Sequence, residues 1–196
     1  DVSGYPLMIS EMTLLTAFRT AATGVLAAKY LARADTKSLA IIGTGAQSEF
    51  QVMAFASYFR LEEVRFFDTD KQAMSKFLQN LTGRKFRLIA CGSIAEAVHH
   101  ADIVITATAA KKRQSLLDIE EIAPGTFIHA MGGDCPGKTE LSVDFLKHVK
   151  VVVEYKPQTL IEGEIQQCPA NLIYAELWEL VCKRKPGRQD DREIIL

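Results

Sequence analysis

Ser38-Leu-Ala-Ile-Ile-Gly43-Thr-Gly45-Ala-Gln-Ser48 joins a continuous apolar run to a pair of glycines. The run Ser38–Ile42 is short, apolar and stopped by glycine, which reads as a buried strand. Gln47 to Phe59 then reads as an amphipathic helix. Gly43-x-Gly45-x-x-Ser48 thus lies between a strand and a helix, the context in which a G-x-G-x-x-G loop binds a dinucleotide. Gly43 permits the tight turn, Gly45 lets a pyrophosphate approach the backbone, and the helix N-terminus supplies N–H groups and partial positive charge. Ser48 replaces the third glycine, which implies either wider strand–helix packing or a hydroxyl facing phosphate. Asp68 closes the next strand about 20 residues on, where an acid accepts from a ribose 2′-hydroxyl. An acid there repels a 2′-phosphate, so NAD is favoured over NADP. A methyltransferase or another nucleotide fold sharing the glycine turn is the alternative.

The alternation continues in both directions. Ser10 to Leu31 is helical in composition, with Ser10 as its N-cap. Beyond the glycine loop come Val64–Phe67 (strand), Asp70–Leu81 (helix), Phe86–Ala90 (strand), Ser93–His100 (helix) and Asp102–Thr106 (strand). A strand at Phe127–Ala130, a helix over Val143–His148 capped by Ser142, and a strand at Val151–Val153 follow. Such alternation predicts βαβ units and the α/β class: a Rossmann-type, doubly wound, mostly parallel sheet with helices on both faces. Lys183–Arg192, charged and containing Pro and Gly, reads as a linker, and Glu193-Ile-Ile-Leu196 as the opening of a strand. The expected organisation is a lead-in segment and long helix over 1–34 and an NAD-binding domain over 35–185. A linker over 186–196 would begin a strand returning to a substrate domain outside the chain.

With 196 residues, 48% of them apolar, and a formal net charge of −1, the chain has a globular composition. It offers no electrostatic case for nucleic acid or a membrane surface. Its apolar runs fall short of the ~20 residues that span a bilayer, and its start lacks the pattern of a secretory signal. Cys91, Cys135, Cys168 and Cys182 are scattered without a C-x-x-C pair, so neither a zinc site nor a disulfide framework is expected. A reducing cytoplasm is the simplest compartment.

Further on, the strand-like Thr126-Phe-Ile-His-Ala-Met131 runs into Gly132-Gly-Asp134-Cys-Pro-Gly-Lys138-Thr-Glu-Leu141. This places an acid and an ammonium on a Gly/Pro turn at a strand end, where open α/β sheets bind ligands. The competing reading is a surface turn with one exposed Asp and one exposed Lys. Thr106-Ala-Thr108-Ala-Ala110 ends another strand with small residues, leaving room for ribose and nicotinamide or simply forming a neutral loop. Cys135 reads as a small turn residue rather than a nucleophile, since no His partner is indicated.

Leu15-Thr-Ala-Phe-Arg19-Thr-Ala-Ala-Thr23, Ile42–Gln51 and Gly132–Leu141 resemble the ornithine cyclodeaminase/μ-crystallin family. Val153–Thr159 and Glu162-Gly-Glu-Ile-Gln166 resemble its ornithine cyclodeaminase branch, and the likeness covers essentially the whole chain. It implies a homodimer whose subunits carry a Rossmann domain and a separate substrate domain. It also implies that Arg19 holds the substrate carboxylate beside the cofactor. Ala46 and Gln47 would belong to the phosphate turn, joined by Gly43, Gly45 and Ser48. Asp68 would be the ribose acid, Thr108, Met131 and Lys138 cofactor contacts, and Asp134 the catalytic acid–base, also touching substrate.

The implied reaction is L-ornithine to L-proline plus ammonia. The Cα hydride moves to NAD, the side-chain amine attacks the imine, ammonia leaves, and the hydride returns to the cyclic imine. An amino-acid dehydrogenase or ketimine reductase, a lysine cyclodeaminase, and a non-catalytic crystallin-type nucleotide-binding protein are the rival readings.

Overall fold

The computed structural model describes residues 3–196; residues 1 and 2 of the expected lead-in segment lie outside that range. The chain runs α1 (Thr13–Leu31), β1 (Ser38–Ile42), α2 (Ser48–Tyr58), β2 (Glu63–Phe67), α3 (Lys71–Leu81), β3 (Arg87–Ala90) and α4 (Ile94–Val98). It continues β4 (Ile103–Thr106), β5 (Phe127–Ala130), α5 (Val143–Lys147), β6 (Val151–Val153), α6 (Lys156–Thr159), β7 (Ile173–Glu176) and α7 (Leu177–Val181).

Strand β1 lies at the centre of five parallel strands ordered β3-β2-β1-β4-β5, with Leu39 opposite Val64 on one side and Ile103 on the other. Side chains alternate across a strand. Leu39 and Ile41 therefore join Val52, Phe55, Phe66 and Phe77 under α1, α2 and α3. Ala40 and Ile42 join Ala97, Val98, Val104 and Phe145 on the opposite face. A parallel strand covered on both faces is apolar throughout rather than alternating, which is why Ser38–Ile42 was readable. The order reverses between β1 and β4, creating the crevice at which α/β sheets bind ligands. The fold is the Rossmann-type, doubly wound α/β arrangement that the alternation implies.

Three expected helix starts are built as such: the side chains of Asp70, Ser93 and Ser142 accept from backbone N–H groups in the first turns of α3, α4 and α5. Ser10 does not cap α1. That helix begins at Thr13, the Ser10 hydroxyl donates to the Glu11 carbonyl, and the Glu11 carboxylate takes the Thr13 N–H. An acid suits the positive end of a helix.

The C-terminal residues run strand-like: Ile195 is fully buried between β5 and β6, with parallel bridges to Phe127 and Lys150. Ile128 N–H donates to Ile195 O at 2.7 Å and Val152 N–H to Leu196 O at 2.8 Å, so this segment links the five strands to the parallel pair β6–β7. The segment 183–192 packs on α1. Arg188 Nε donates to Leu31 O at 2.7 Å, and a Cβ on Gly187 would lie 2.2 Å from Tyr30 O. The facing edges of β5 and β6 hold ladder groups that need partners, and the short apolar tail supplies them. Strand β7 and helices α6 and α7 were also unread. Among the described residues, no helix is long and apolar enough to cross a membrane.

Candidate active site

The C-terminal ends of β1, β2, β4 and β5 share one edge of the sheet. There the glycine loop is strung between neighbours: Gly43 N–H donates to Phe67 O at 2.9 Å, and Ala107 N–H to Ile42 O at 2.8 Å. Gly43 has φ +98°, and a Cβ on it would fall 2.5 Å from Ala107 O, so no other residue fits. Gly45 and Ala46 are exposed where α2 begins, and a Cβ on Gly45 would meet nothing within 4 Å. This open cradle at a helix N-terminus fits the phosphates of a dinucleotide.

Two expected cofactor residues are partly committed elsewhere. Ser48 is fully buried and its hydroxyl donates to Gly45 O at 2.6 Å, so it shapes the loop instead of facing phosphate. Asp68 accepts from Thr44 N–H at 2.6 Å and from Asp70 N–H at 2.9 Å. Burial pulls its pKa upward, but those hydrogen bonds outweigh burial and hold it below the usual carboxylate range. The Thr44 and Thr69 hydroxyls also donate to it, so the acid braces the glycine loop, and a ribose hydroxyl would have to displace one of these hydroxyl donors.

Beside the loop, a cavity of about 480 Å³ opens between α1, the end of β5 and the segment around Gly163. That is within the range of small-molecule sites. It gathers four of the expected residues, Arg19, Gln47, Met131 and Asp134. Gly43, Gly45, Ala46, Ser48, Asp68, Thr108 and Lys138 do not line it. Gln47 at the start of α2 and Lys138 beside Asp134 connect the two regions.

Lys138 is not a solvated turn lysine. Its side chain is 5% exposed against 71% for Asp134, and Nζ donates to Asp134 Oδ1 and to Thr108 O, both at 2.9 Å. A charge-assisted bond of this kind fixes the orientation of the exposed carboxylate. The Thr108 hydroxyl and N–H are likewise occupied internally, both donating to Glu140.

Residues that the sequence reading passed over do much of the holding. Glu140 is fully buried and accepts from Thr108 N–H at 2.7 Å and Gly132 N–H at 3.1 Å. Glu164 in turn accepts from Glu140 N–H at 2.9 Å and Leu141 N–H at 2.8 Å. Burial pushes the Glu164 pKa up to about 7; the two N–H donors oppose the rise and the neighbouring Glu140 carboxylate adds to it. A Cβ on Gly132 would sit 2.1 Å from the Glu140 carboxylate, and one on Gly133 would be 3.0 Å from Gly163 Cα. The Gln166 amide accepts from Gly137 N–H at 2.6 Å and donates to Lys138 O at 2.8 Å. Acids inside a Gly-rich turn and in Glu162-Gly-Glu164 were the available signals, but a sequence gives no sign that they face each other.

On the other wall, His129 presents a buried Nε2 that has no hydrogen-bond partner among the described residues, and the buried Gln51 amide has none either. Both abut Gly24, where a Cβ would lie 2.7 Å from His129 Nε2 and 3.2 Å from Gln51 Oε1. Burial pushes the His129 pKa down to about 4, so its imidazole is neutral near neutrality.

A braced glycine loop at a Rossmann switch point, with an arginine and a fixed carboxylate in the adjoining cavity, defines a dinucleotide-binding domain of the Rossmann class. More narrowly, the chain belongs to the ornithine cyclodeaminase/mu-crystallin family, whose model it matches over residues 1–196. It is 52% identical over 194 residues to an ornithine cyclodeaminase of Agrobacterium tumefaciens, covering 99% of this chain and 54% of that protein. The chain thus spans about half the length of the curated relatives it matches. Among solved structures it superposes on Thermococcus litoralis Δ1-pyrroline-2-carboxylate reductase in complex with NADH and L-proline (TM-score 0.92, 32% identity, 100% of this chain and 62% of that one). An archaeal alanine dehydrogenase dimer with bound NAD matches comparably (TM-score 0.91, 33% identity, 99% of this chain and 61% of that one).

Proposed function

We propose that the whole protein is an NAD-dependent cyclodeaminase that converts L-ornithine to L-proline and ammonia. The observation that carries this reading is Asp134: an exposed carboxylate aimed by a buried lysine, in one cavity with Arg19 and beside an open glycine loop. The 52% identity to an ornithine cyclodeaminase supports the choice of reaction.

Gly43, Gly45, Ala46 and Gln47 would hold the dinucleotide phosphates, and Asp68 its ribose, in the NAD form that lacks a 2′-phosphate. When bound, the nicotinamide accepts a hydride and returns it within the same turnover. Arg19 fixes the amino-acid carboxylate through paired N–H donors. Asp134 takes a proton from the reacting amine and sets its lone pair toward the carbon that is to be closed into a ring. Lys138 keeps that carboxylate turned into the cavity. The protein would work in the cytoplasm as a lyase and as a homodimer. Pairing of subunits, or the remainder of the chain, would cover Leu7, Met8 and Ile9, which are 80–93% exposed.

The second reading is net redox, favoured by the two solved neighbours, a reductase and a dehydrogenase. One assay separates them. The whole protein is incubated with L-ornithine and catalytic NAD, and proline, ammonia and NADH are followed. Proline and ammonia in equal amounts without net NADH support cyclodeamination. NADH in step with substrate consumed would replace it with a dehydrogenase, and intact NAD binding without product would leave a binding protein.

A further inference from the structure

We propose that Glu140 and Glu164 are positioning residues for the reaction: a pair of buried carboxylates, one hung from the other, that sets the Gly132–Leu141 turn and so the aim of Asp134.

The geometry is a relay of backbone bonds. Glu164 lies on the short 3-10 turn Glu164–Gln167, outside the catalytic turn, and receives the N–H groups of Glu140 and Leu141. Glu140, so placed, reaches back to Gly132 N–H at the end of β5 and to Thr108 N–H beyond β4. The carbonyl of that same Thr108 is the second acceptor of Lys138 Nζ, whose first is Asp134. One arm thus reaches, through Thr108, the lysine that aims Asp134, and another holds Gly132, whose carbonyl accepts the Asp134 N–H at 2.9 Å. Glu164 also lines the cavity that holds Arg19 and Asp134, whereas Glu140 does not; both carboxylates are taken up by backbone N–H groups, so the role assigned to them is positioning. Burying two carboxylates side by side is costly. A turn needing only stability would be served by apolar packing, whereas a turn needing one fixed geometry is served by acceptors that saturate its N–H groups.

The titratable groups around Glu164 are Glu140 and Lys138 from the turn and Cys168 at the end of its own 3-10 turn. Its raised pKa puts its charge change in the neutral range. Because the folded turn favours the protonated side chain, it is held tightest below that pH and slackens above it.

The inference rests on the proposed reaction, so its test has two readouts. In the whole protein, Glu164→Gln keeps one oxygen where Oε2 now accepts both Glu140 N–H and Leu141 N–H. It should fold, bind NAD within about twofold of wild type, and lose kcat by about tenfold with KM for ornithine little changed, a misplacement effect. Its kcat should also lack the fall that loosening of the turn gives the wild type as pH rises through about 7. Glu140→Gln, left with one acceptor oxygen where two are used, should lose more. Unchanged kcat and an unchanged pH profile in folded variants would overturn the inference. The second readout needs no variant and no turnover. Amide exchange of Glu140 and Leu141 in the wild type, corrected for intrinsic rates, should slow down between pH 8 and pH 6, and equal protection at both would overturn the inference even if the variants fail to fold. A wild type that turns over no ornithine would sink the proposed reaction instead, while the exchange result still decides the positioning.

Discussion

Two glycine turns meet at the same edge of the sheet, and they use glycine for opposite reasons. Around Gly45 and Ala46 the space is empty, and a side chain there would intrude only on a ligand. Around Gly132 and Gly133 the protein itself fills the space: a Cβ on the first would fall on the Glu140 carboxylate at 2.1 Å, and one on the second would crowd Gly163 Cα at 3.0 Å. The first turn is a cradle, kept bare for something that arrives. The second is a bracket, packed tightly so that one exposed carboxylate stands in one place. A site that binds a cofactor and moves a proton needs both, because a phosphate tolerates approach from backbone while a proton acceptor must be within hydrogen-bond reach of its donor.

The contrast can be broken at its sharpest point first. Asp134→Asn removes the proton acceptor and leaves the cradle intact, so turnover of ornithine should fall by about 100- to 10,000-fold while NAD affinity measured by titration stays near wild type. Full turnover in this variant would take Asp134 out of its role. Gly132→Ala attacks the bracket: its methyl collides with the buried Glu140 carboxylate, and thermal or denaturant unfolding should show a loss of about 1–3 kcal/mol. Next comes pH. Folding lowers the His129 pKa from 6.5 to about 4, so its contribution to stability is complete above 6.5 and disappears as pH falls through about 4. Folding raises the Glu164 pKa from 4.5 to about 7, so its contribution is complete below 4.5 and lost as pH rises through about 7. Denaturant midpoints across that range should flatten on the acid side in His129→Gln and on the neutral side in Glu164→Gln. The smallest effect on stability belongs to Gly45→Ala, expected to stay within about 0.5 kcal/mol while weakening NAD binding. A Gly45 variant less stable than Gly132→Ala would reverse the assignment of cradle and bracket.

Much of this molecule was legible in its sequence. The buried run Ser38–Ile42 and its glycines fixed the first strand–turn–helix unit, since an apolar strand and a helix N-terminus are local patterns with a local cause. Asp70, Ser93 and Ser142 announced their helices by the same logic, because an N-cap acts on its own first turn. Ser10 misled because Glu11, a residue later, satisfies the same first turn. The packing of the tail has a cause outside its own composition. Lys183–Arg192 has the composition of a linker, yet Arg188 and Gly187 dock on α1, and Ile195 completes a ladder between strands distant in sequence.

The sequence by itself determined the α/β class, the cradle and the presence of an acid on a strand-end turn, all of which follow from contacts within a few residues. Only the tertiary structure decided that Lys138 is buried and aimed at Asp134, that the Ser48 hydroxyl turns inward, and that Glu140 and Glu164 bear on each other. Those depend on which side chains from separate elements share a volume from which water is excluded. Burial changes what a charged group must do: exposed, a lysine or glutamate is solvated and indifferent, but buried it must find partners, and at this turn those partners are the groups that set its geometry.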